Sequence, residues 1–458
     1  MSEKSITRWV AEFVADPAND RLPTKVSHEV RRAMLDSIGV SVAGTRHPAS
    51  QKVAAMVTRM GGGGPCHIIG STLTTGPLGA ALCNGVTAHV LDWDDTILPT
   101  RAHLSAALLP PLVAAGEIEG WTIEEIIPAF AIGFEVAARI NHAVYPSVHL
   151  RGWQGTGIAG GIGAAAAVSR IIGLEVPQIV HAMGIAATDA SGLIATFGSM
   201  SKPLNIGRAG ASGLESAYLA ALDYTSNVDI LGAGRFLEMF DEGPRRELLV
   251  DGLGERWSIL ENGYKPYPCG FVAHAMIDAV RDLRVKAKPA ATLRRLRLRV
   301  SPESEHLMGN PDPTNELEAK FSLLYEAAVA WVEGNVTPAA FQEAAVRDPR
   351  YRAVMALTEI TTSQEITQDE AFAEAEFEDG STGEVHILHA RGTRVRPLTD
   401  QDLREKFDTA LALGGIKDGE QIADLIMSGD APVGRLMDRM NCGAGQCAEA
   451  VVATGGGQ

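Results

Sequence analysis

The sequence predicts a mostly α-helical protein of two domains, a large all-helical one and a smaller α+β lid domain inserted before the last helices. Its 458 residues are too many for one simple core. Long Ala-rich stretches fill the first part of the chain, at 76–93, 103–119, 123–140, 157–173 and 207–223. A period-two alternation of apolar and polar residues begins only after about residue 265.

Val26, Val30, Met34, Ile38 and Val42 recur at helical spacing and form one apolar stripe. In the Ala-rich stretches, small side chains with scattered glycine let helices approach closely, which predicts a packed bundle rather than a sheet. The glycines at 61–64 and the CHIIG segment after them predict a loop and a short extended piece. Leu296, Leu298 and Val300 alternate with Arg295, Arg297 and Arg299, as in a half-exposed strand. Phe372–Phe377 and Val385–His389 flank the turn-rich EDGSTGE and give a second strand signal. Between these signals, 317–333 and 337–346 read as helical. Thr399 is placed to cap a helix over DQDLREKFDTALAL, so the C-terminal helices are expected to rejoin the first domain. The expected division is residues 1–265 with 399–458, and 266–398. The Gly-rich tail at 455–457 is expected to fray.

Composition narrows the function. Apolar residues make up 46% and charged residues 21%, which is globular. No charge-free apolar run reaches the roughly 20 residues that span a bilayer, and MSEKSITRWV lacks a secretory pattern. Cys66, Cys83, Cys269, Cys442 and Cys447 form no C-x-x-C pair, so reduced thiols in a cytoplasm are expected. A net charge of −16 argues against nucleic acid as a partner. It also means that an anionic substrate needs a local basic pocket against the overall field.

Two motifs stand out. GTGIAG at Gly155–Gly160 has the spacing of a dinucleotide loop, but HAVYPSVHLRGWQ before it is no buried strand and Ala-rich helix follows. Close helix packing accounts better for these glycines. The second is LDWDDTILPTRAHLSAALLPP. On a helix, Asp92, Asp95 and Thr96 would share a face. Arg101 and His103, just before another Ala-Leu helix, suit an anion and proton transfer better than a magnesium ion. The sequence offers no clear His/Cys/Asp/Glu ligand cluster, so neither metal nor cofactor is expected.

D-x-D-D-T followed by H-x-S resembles the signature of the MmgE/PrpD family. So do RGWQGTG at 151–157, SKPLNIGRAGASG at 201–213, GYKPYPCGFVAHAMIDA at 263–279 and LEAKFSLLYEAA at 317–328. The resemblance runs in order over nearly the whole chain. It implies a helical domain with a smaller lid, a homodimer, and cofactor-independent chemistry on a small carboxylate. It places Asp92, Thr96, His103, Lys202, Lys265 and Tyr325 at active-site positions, with Arg101 as in epimerase-like members. Two positions depart from the family pattern: Gln154 and Asn205 stand where histidines are usual. Amides hydrogen-bond but do not titrate. His149, where epimerase-like relatives have tyrosine, is a candidate replacement base or a structural loop residue. His274 reads as helix packing.

The chemistry the resemblance implies is removal of a proton next to a carboxylate. In that scheme Arg101, Lys202 and Lys265 hold substrate carboxylates, and His103 is the main acid or base. Asp92 and Thr96 orient it or the substrate, Gln154 and Asn205 bind substrate, and Tyr325 closes the site as a donor or acid. A lyase on a di- or tricarboxylate, such as 2-methylcitrate or cis-aconitate, is the first expectation. An epimerase is the second, and a non-catalytic polycarboxylate binder the third.

Overall fold

The computed structural model of the chain describes residues 5–287 and 292–440. The chain forms two compact units. One comprises residues up to Val90, Asp94–Asn262 and the chain from Asp400 onward; the other comprises Leu91–Trp93 and Gly263–Thr399. No helix among the described residues is long and apolar enough to cross a membrane.

The first unit is helical, as its Ala-rich stretches predict. Helix Thr24–Gly44 buries Val26, Val30, Met34, Ile38 and Val42 along the expected stripe. Helix Asp400–Gly414 returns to pack on it. A buried ion pair, Lys406 to Asp36 at 2.6 Å, joins the two. The CHIIG segment supplies a short antiparallel pairing, Cys66–His67 with Thr74–Thr75. Helix Ile123–Val144 opens on a capping box in which Thr122 and Glu125 satisfy each other's amide groups.

Helix Gly155–Ile171 lies at the heart of this unit. It packs against Leu104–Glu119, Ile123–Val144, Val176–Thr188 and Ser201–Ala221, and every residue from Gly155 to Ser169 is buried. Its glycines are contact points. A Cβ at Gly163 would lie 2.7 Å from both the Ala137 Cβ and the Gly133 carbonyl oxygen. The GTGIAG stretch is therefore a packing motif inside a helix.

The second unit carries a four-stranded sheet in the order Thr358–Thr362, Leu293–Val300, Ala371–Phe377, Thr382–Ile387. The first pairing is parallel and the other two antiparallel. Leu296, Leu298 and Val300 point inward, and Arg297 on the other face pairs with Glu376 at 2.7 Å. Helix His274–Lys286 covers the sheet and packs in turn on Leu323–Glu333. Two readings need correction here, and one strand is additional to them. The helix expected over 317–333 is broken at Lys320–Ser322, where Asn315 and Ser322 cap separate helices, Glu316–Ala319 and Leu323–Glu333. The one expected over 337–346 is a 3-10 turn, Pro338–Phe341, and a single turn, Glu343–Val346. Strand Thr358–Thr362 was not foreseen, because its burial lacks a strict alternation.

Cys66, Cys83 and Cys269 are free and buried, and burial pushes the Cys66 and Cys83 thiols up to about 12. Cys442, Cys447 and the tail at 455–457 lie outside the described residues.

The packing role of the glycines is testable. Helix propensity alone would favour alanine at Gly163 by about 1 kcal/mol. The clash with a backbone oxygen and a buried methyl outweighs it, so Gly163→Ala should destabilise by about 1–3 kcal/mol in denaturant unfolding. Gly161→Ala, whose Cβ meets only the Ala209 carbonyl at 3.2 Å, should cost less. Equal stabilities would contradict the packing account.

Candidate active site

Helix Pro77–His89 ends before the acidic triplet rather than running through it. Asp92 takes a left-handed conformation, φ 53°, which a continuing helix cannot hold. The expected common helical face of Asp92, Asp95 and Thr96 does not exist. Asp92 belongs to the second unit, and Asp94 and Asp95 to the first. Thr96–Ile97 is extended, and a tight turn then returns through Arg101, φ 56°, with the Ile97 amide donating to the Ala102 carbonyl. His103 stands at the N-cap of helix Leu104–Glu119.

The turn collects acids and imidazoles. Asp94 Oδ2 is 2.8 Å from His89 Nδ1 and 3.5 Å from His103 Nδ1. The two rings lie 4.6 Å apart. His103 Nδ1 is also 3.0 Å from the Asp95 carbonyl and 3.2 Å from Thr96 Oγ1. A carbonyl only accepts, so Nδ1 carries hydrogen and Nε2 holds the lone pair of the neutral ring. Asp95 is fully buried and accepts from Ser105 and from Asn262 at 2.5 Å. Burial, with the Asp36 charge second, pushes its carboxyl up to about 8, so it is mostly protonated at neutral pH.

Helix Gly155–Ile171 presents its N-terminus to the same place. Thr156 in its first turn accepts the His103 amide at 2.9 Å. Gln154 is its N-cap and only 3% exposed. Its orientation follows from a chain of forced donors. The Ser191 carbonyl only accepts, so the Asn205 atom 3.2 Å away is Nδ2. That group also donates to Gln154 Oε1 at 3.0 Å, while Ser191 Oγ donates to Asn205 Oδ1 at 3.2 Å. Gln154 Nε2 is left buried without a protein acceptor. Gly157 makes the close approach possible, since a Cβ there would fall 2.1 Å from Asn205 Nδ2. His149, in the short helix Ser147–Leu150, packs edge-on against Tyr145 at 5.3 Å. Burial, helped by the Arg101 charge, brings its pKa down to about 4, so it is neutral at pH 7. Lys202 is buried in the first turn of Ser201–Ala221, 5.2 Å from the Phe197 ring.

Seven of the ten expected site residues thus lie in the first unit: Thr96, Arg101, His103, His149, Gln154, Lys202 and Asn205. Asp92, Lys265 and Tyr325 lie in the second. There Lys265 Nζ donates to the Asp92 carbonyl at 3.0 Å and pairs with its carboxylate at 3.1 Å. Lys320 holds the Leu91 and Pro268 carbonyls at 3.0 and 3.2 Å. Cys269 and Glu326 share this buried surround, and burial raises both pKa values well above the ordinary. Tyr325 donates its hydroxyl to the Ala340 carbonyl. His274 stacks on Phe271 at 4.6 Å.

Sequence reasoning missed His89 and Asp94. It also found no ligand cluster, and the structure corrects that. His89, Asp94 and His103 bring donor atoms within 4.8 Å of one another, a spacing that can hold a metal ion. The signal was present as H-x4-D, but nothing in the sequence shows the chain folding back on its helix end.

Residues 8–246 match the MmgE/PrpD N-terminal domain and residues 267–428 the MmgE/PrpD C-terminal domain. The chain is similar to a cis-aconitate decarboxylase of Aspergillus terreus, 27% identical over 96% of this chain and 97% of that protein. It is similar to cis-aconitate decarboxylases of Mus musculus, 28% identical over 89% and 87%, and of Homo sapiens, 27% identical over 89% and 88%.

The protonated Asp95 makes a prediction. Its folded pKa is raised above the unfolded value, so its contribution is fully present below about pH 4 and is lost as pH rises toward about 8. Asp95→Asn keeps the shape without the titration. Relative to the variant, the wild type should lose unfolding free energy steadily between those limits. A gap independent of pH would show that Asp95 is ionised in the fold.

Proposed function

The chain belongs to the MmgE/PrpD family, and from that premise we propose that it is a lyase, a decarboxylase or hydro-lyase, acting on a small di- or tricarboxylate. The observation that carries the reading is His103, with Nδ1 fixed on oxygen and Nε2 left basic, beside the N-terminus of helix Gly155–Ile171. Nε2 exchanges a proton with the carbon next to a carboxylate. In decarboxylation the ring starts as imidazolium and gives its Nε2 proton to the carbon as the bond to CO2 breaks. In dehydration Nε2 takes the proton from carbon, and the imidazolium so formed returns a proton to the departing hydroxide, which leaves as water. Either way, negative charge builds on the neighbouring carboxylate. The helix N-terminus and the Gln154 Nε2 donor are suited to receive it. Arg101 and Lys202 supply the local positive charge that a chain of net charge −16 needs. No step in this scheme draws on a metal or cofactor, and the reading includes a homodimer.

An epimerase is the second reading, favoured by His149. It is a neutral imidazole at working pH, and Gly155 stands next to it, since a Cβ there would lie 3.4 Å from His149 Nε2. Inversion at carbon needs two proton-transfer groups, and His103 with His149 would provide them.

Turnover in D2O of cis-aconitate and 2-methylcitrate separates these readings. Deuterium on the carbon that has lost CO2, or loss of water from the substrate, supports the lyase, and exchange with inversion supports the epimerase. His103→Ala should lower kcat at least about a hundredfold. Retention of near wild-type rate would remove His103 from the chemistry. Lys202→Met should weaken carboxylate stabilisation by about 2–5 kcal/mol. Neutral esters reacting as fast as the acids would contradict that role. Gln154→His should raise activity on both substrates and His149→Phe should abolish the native reaction. Strong activity that neither change affects would make the departure at Gln154 neutral. EDTA dialysis should leave turnover unchanged; loss restored by a divalent ion would make His89, Asp94 and His103 ligands.

A further inference from the structure

We propose that His89 and Asp94 are positioning residues for His103, a buried pair that holds its ring by Nδ1 and stabilises the imidazolium formed when Nε2 takes a proton. The inference rests on His103 as the proton-transfer group.

Asp94 Oδ2 sits between two imidazole nitrogens, 2.8 Å from His89 Nδ1 and 3.5 Å from His103 Nδ1. The side chains of His89 and Asp94 are both fully buried. His89 is anchored in the last turn of helix Pro77–His89, so its Nδ1–H fixes the carboxylate to a rigid element. The Asp95 carbonyl at 3.0 Å and Thr96 Oγ1 at 3.2 Å complete the oxygen shell around His103 Nδ1. The carbonyl is enough to choose the tautomer. The carboxylate adds what a carbonyl lacks, a full negative charge facing the ring edge away from Nε2. A charge placed there gains little while His103 is neutral and much more once it is cationic, and such differential stabilisation raises kcat rather than lowering KM. Its depth matters too, because solvent does not screen it.

The neighbouring acid argues in the same direction. Asp95 is held mostly protonated, by burial first, and the Asp36 carboxylate is paired with the Lys406 ammonium. The imidazole cluster therefore does not face a row of like charges. Asp94 is the carboxylate in contact with both rings.

The test needs two readouts. In substrate-free protein with 15N-labelled histidine, the His103 Nδ1 proton should resonate far downfield, identified by its absence in His103→Asn. In Asp94→Asn, which keeps the shape without the charge, that resonance should move upfield or vanish. With 2-methylcitrate as probe, whose dehydration has Nε2 take the proton, kcat should fall about a hundredfold or more, with KM little changed. His89→Phe should lower kcat in the same way. His89→Asn, whose amide can replace the Nδ1 donor, should restore part of it and keeps the proposal testable if Asp94→Asn fails to fold. An unchanged Nδ1 resonance, or equal rates for His89→Phe and His89→Asn, would overturn the proposal. The resonance is read without turnover, so a failure of the lyase reading shows separately, as an active His103→Ala.

Discussion

The first unit depends on how closely helix Gly155–Ile171 can approach its neighbours. Glycine and alanine along its length let four helices close on it without side chains between the backbones. The same smallness shapes its N-terminus. With no Cβ at Gly157, Asn205 reaches Gln154, and Thr156 in the same first turn accepts from the His103 amide. One packing constraint thus fixes a base, an amide donor and a helix end relative to one another.

Around that helix end, charge is managed by burial as much as by pairing. Asp36 is neutralised by Lys406, Asp95 is held protonated, and Asp94 is shared by two imidazoles. In the second unit, Lys265 and Lys320 spend their donors on the Leu91–Asp92 backbone. Buried charges at such density cost too much to be left unmatched, and each of these has a specific partner or has given up its charge.

Much of the fold was legible because it is written in periodicity. The stripe from Val26 to Val42 and the alternation from Arg295 to Val300 depend on local geometry that a single chain reveals. The two-domain, mostly helical architecture followed from them. The site was legible mainly through family resemblance, which named His103 and Gln154 but gave no contacts. What failed was continuity. The acidic triplet was read as helix because the residues before it are helical, and nothing local announces the left-handed Asp92. His89 and Asp94 escaped notice because their partnership exists only after the chain doubles back.

The Ser191 carbonyl, which can only accept, makes the facing Asn205 atom a donor, and that same Nδ2 gives to Gln154 Oε1 as well. The orientation of both amides is thus set at one atom, the Ser191 oxygen. An aspartate at position 205 would be almost the same size but could only accept. The Gln154 amide would turn over to meet it and expose its oxygen. Under the proposed function, the ligand favoured at this helix end would then change from one rich in oxygen to one that carries hydrogen. In that reading, a single backbone oxygen two residues away decides which group of Gln154 is presented, and the lining side chains alone would not reveal it.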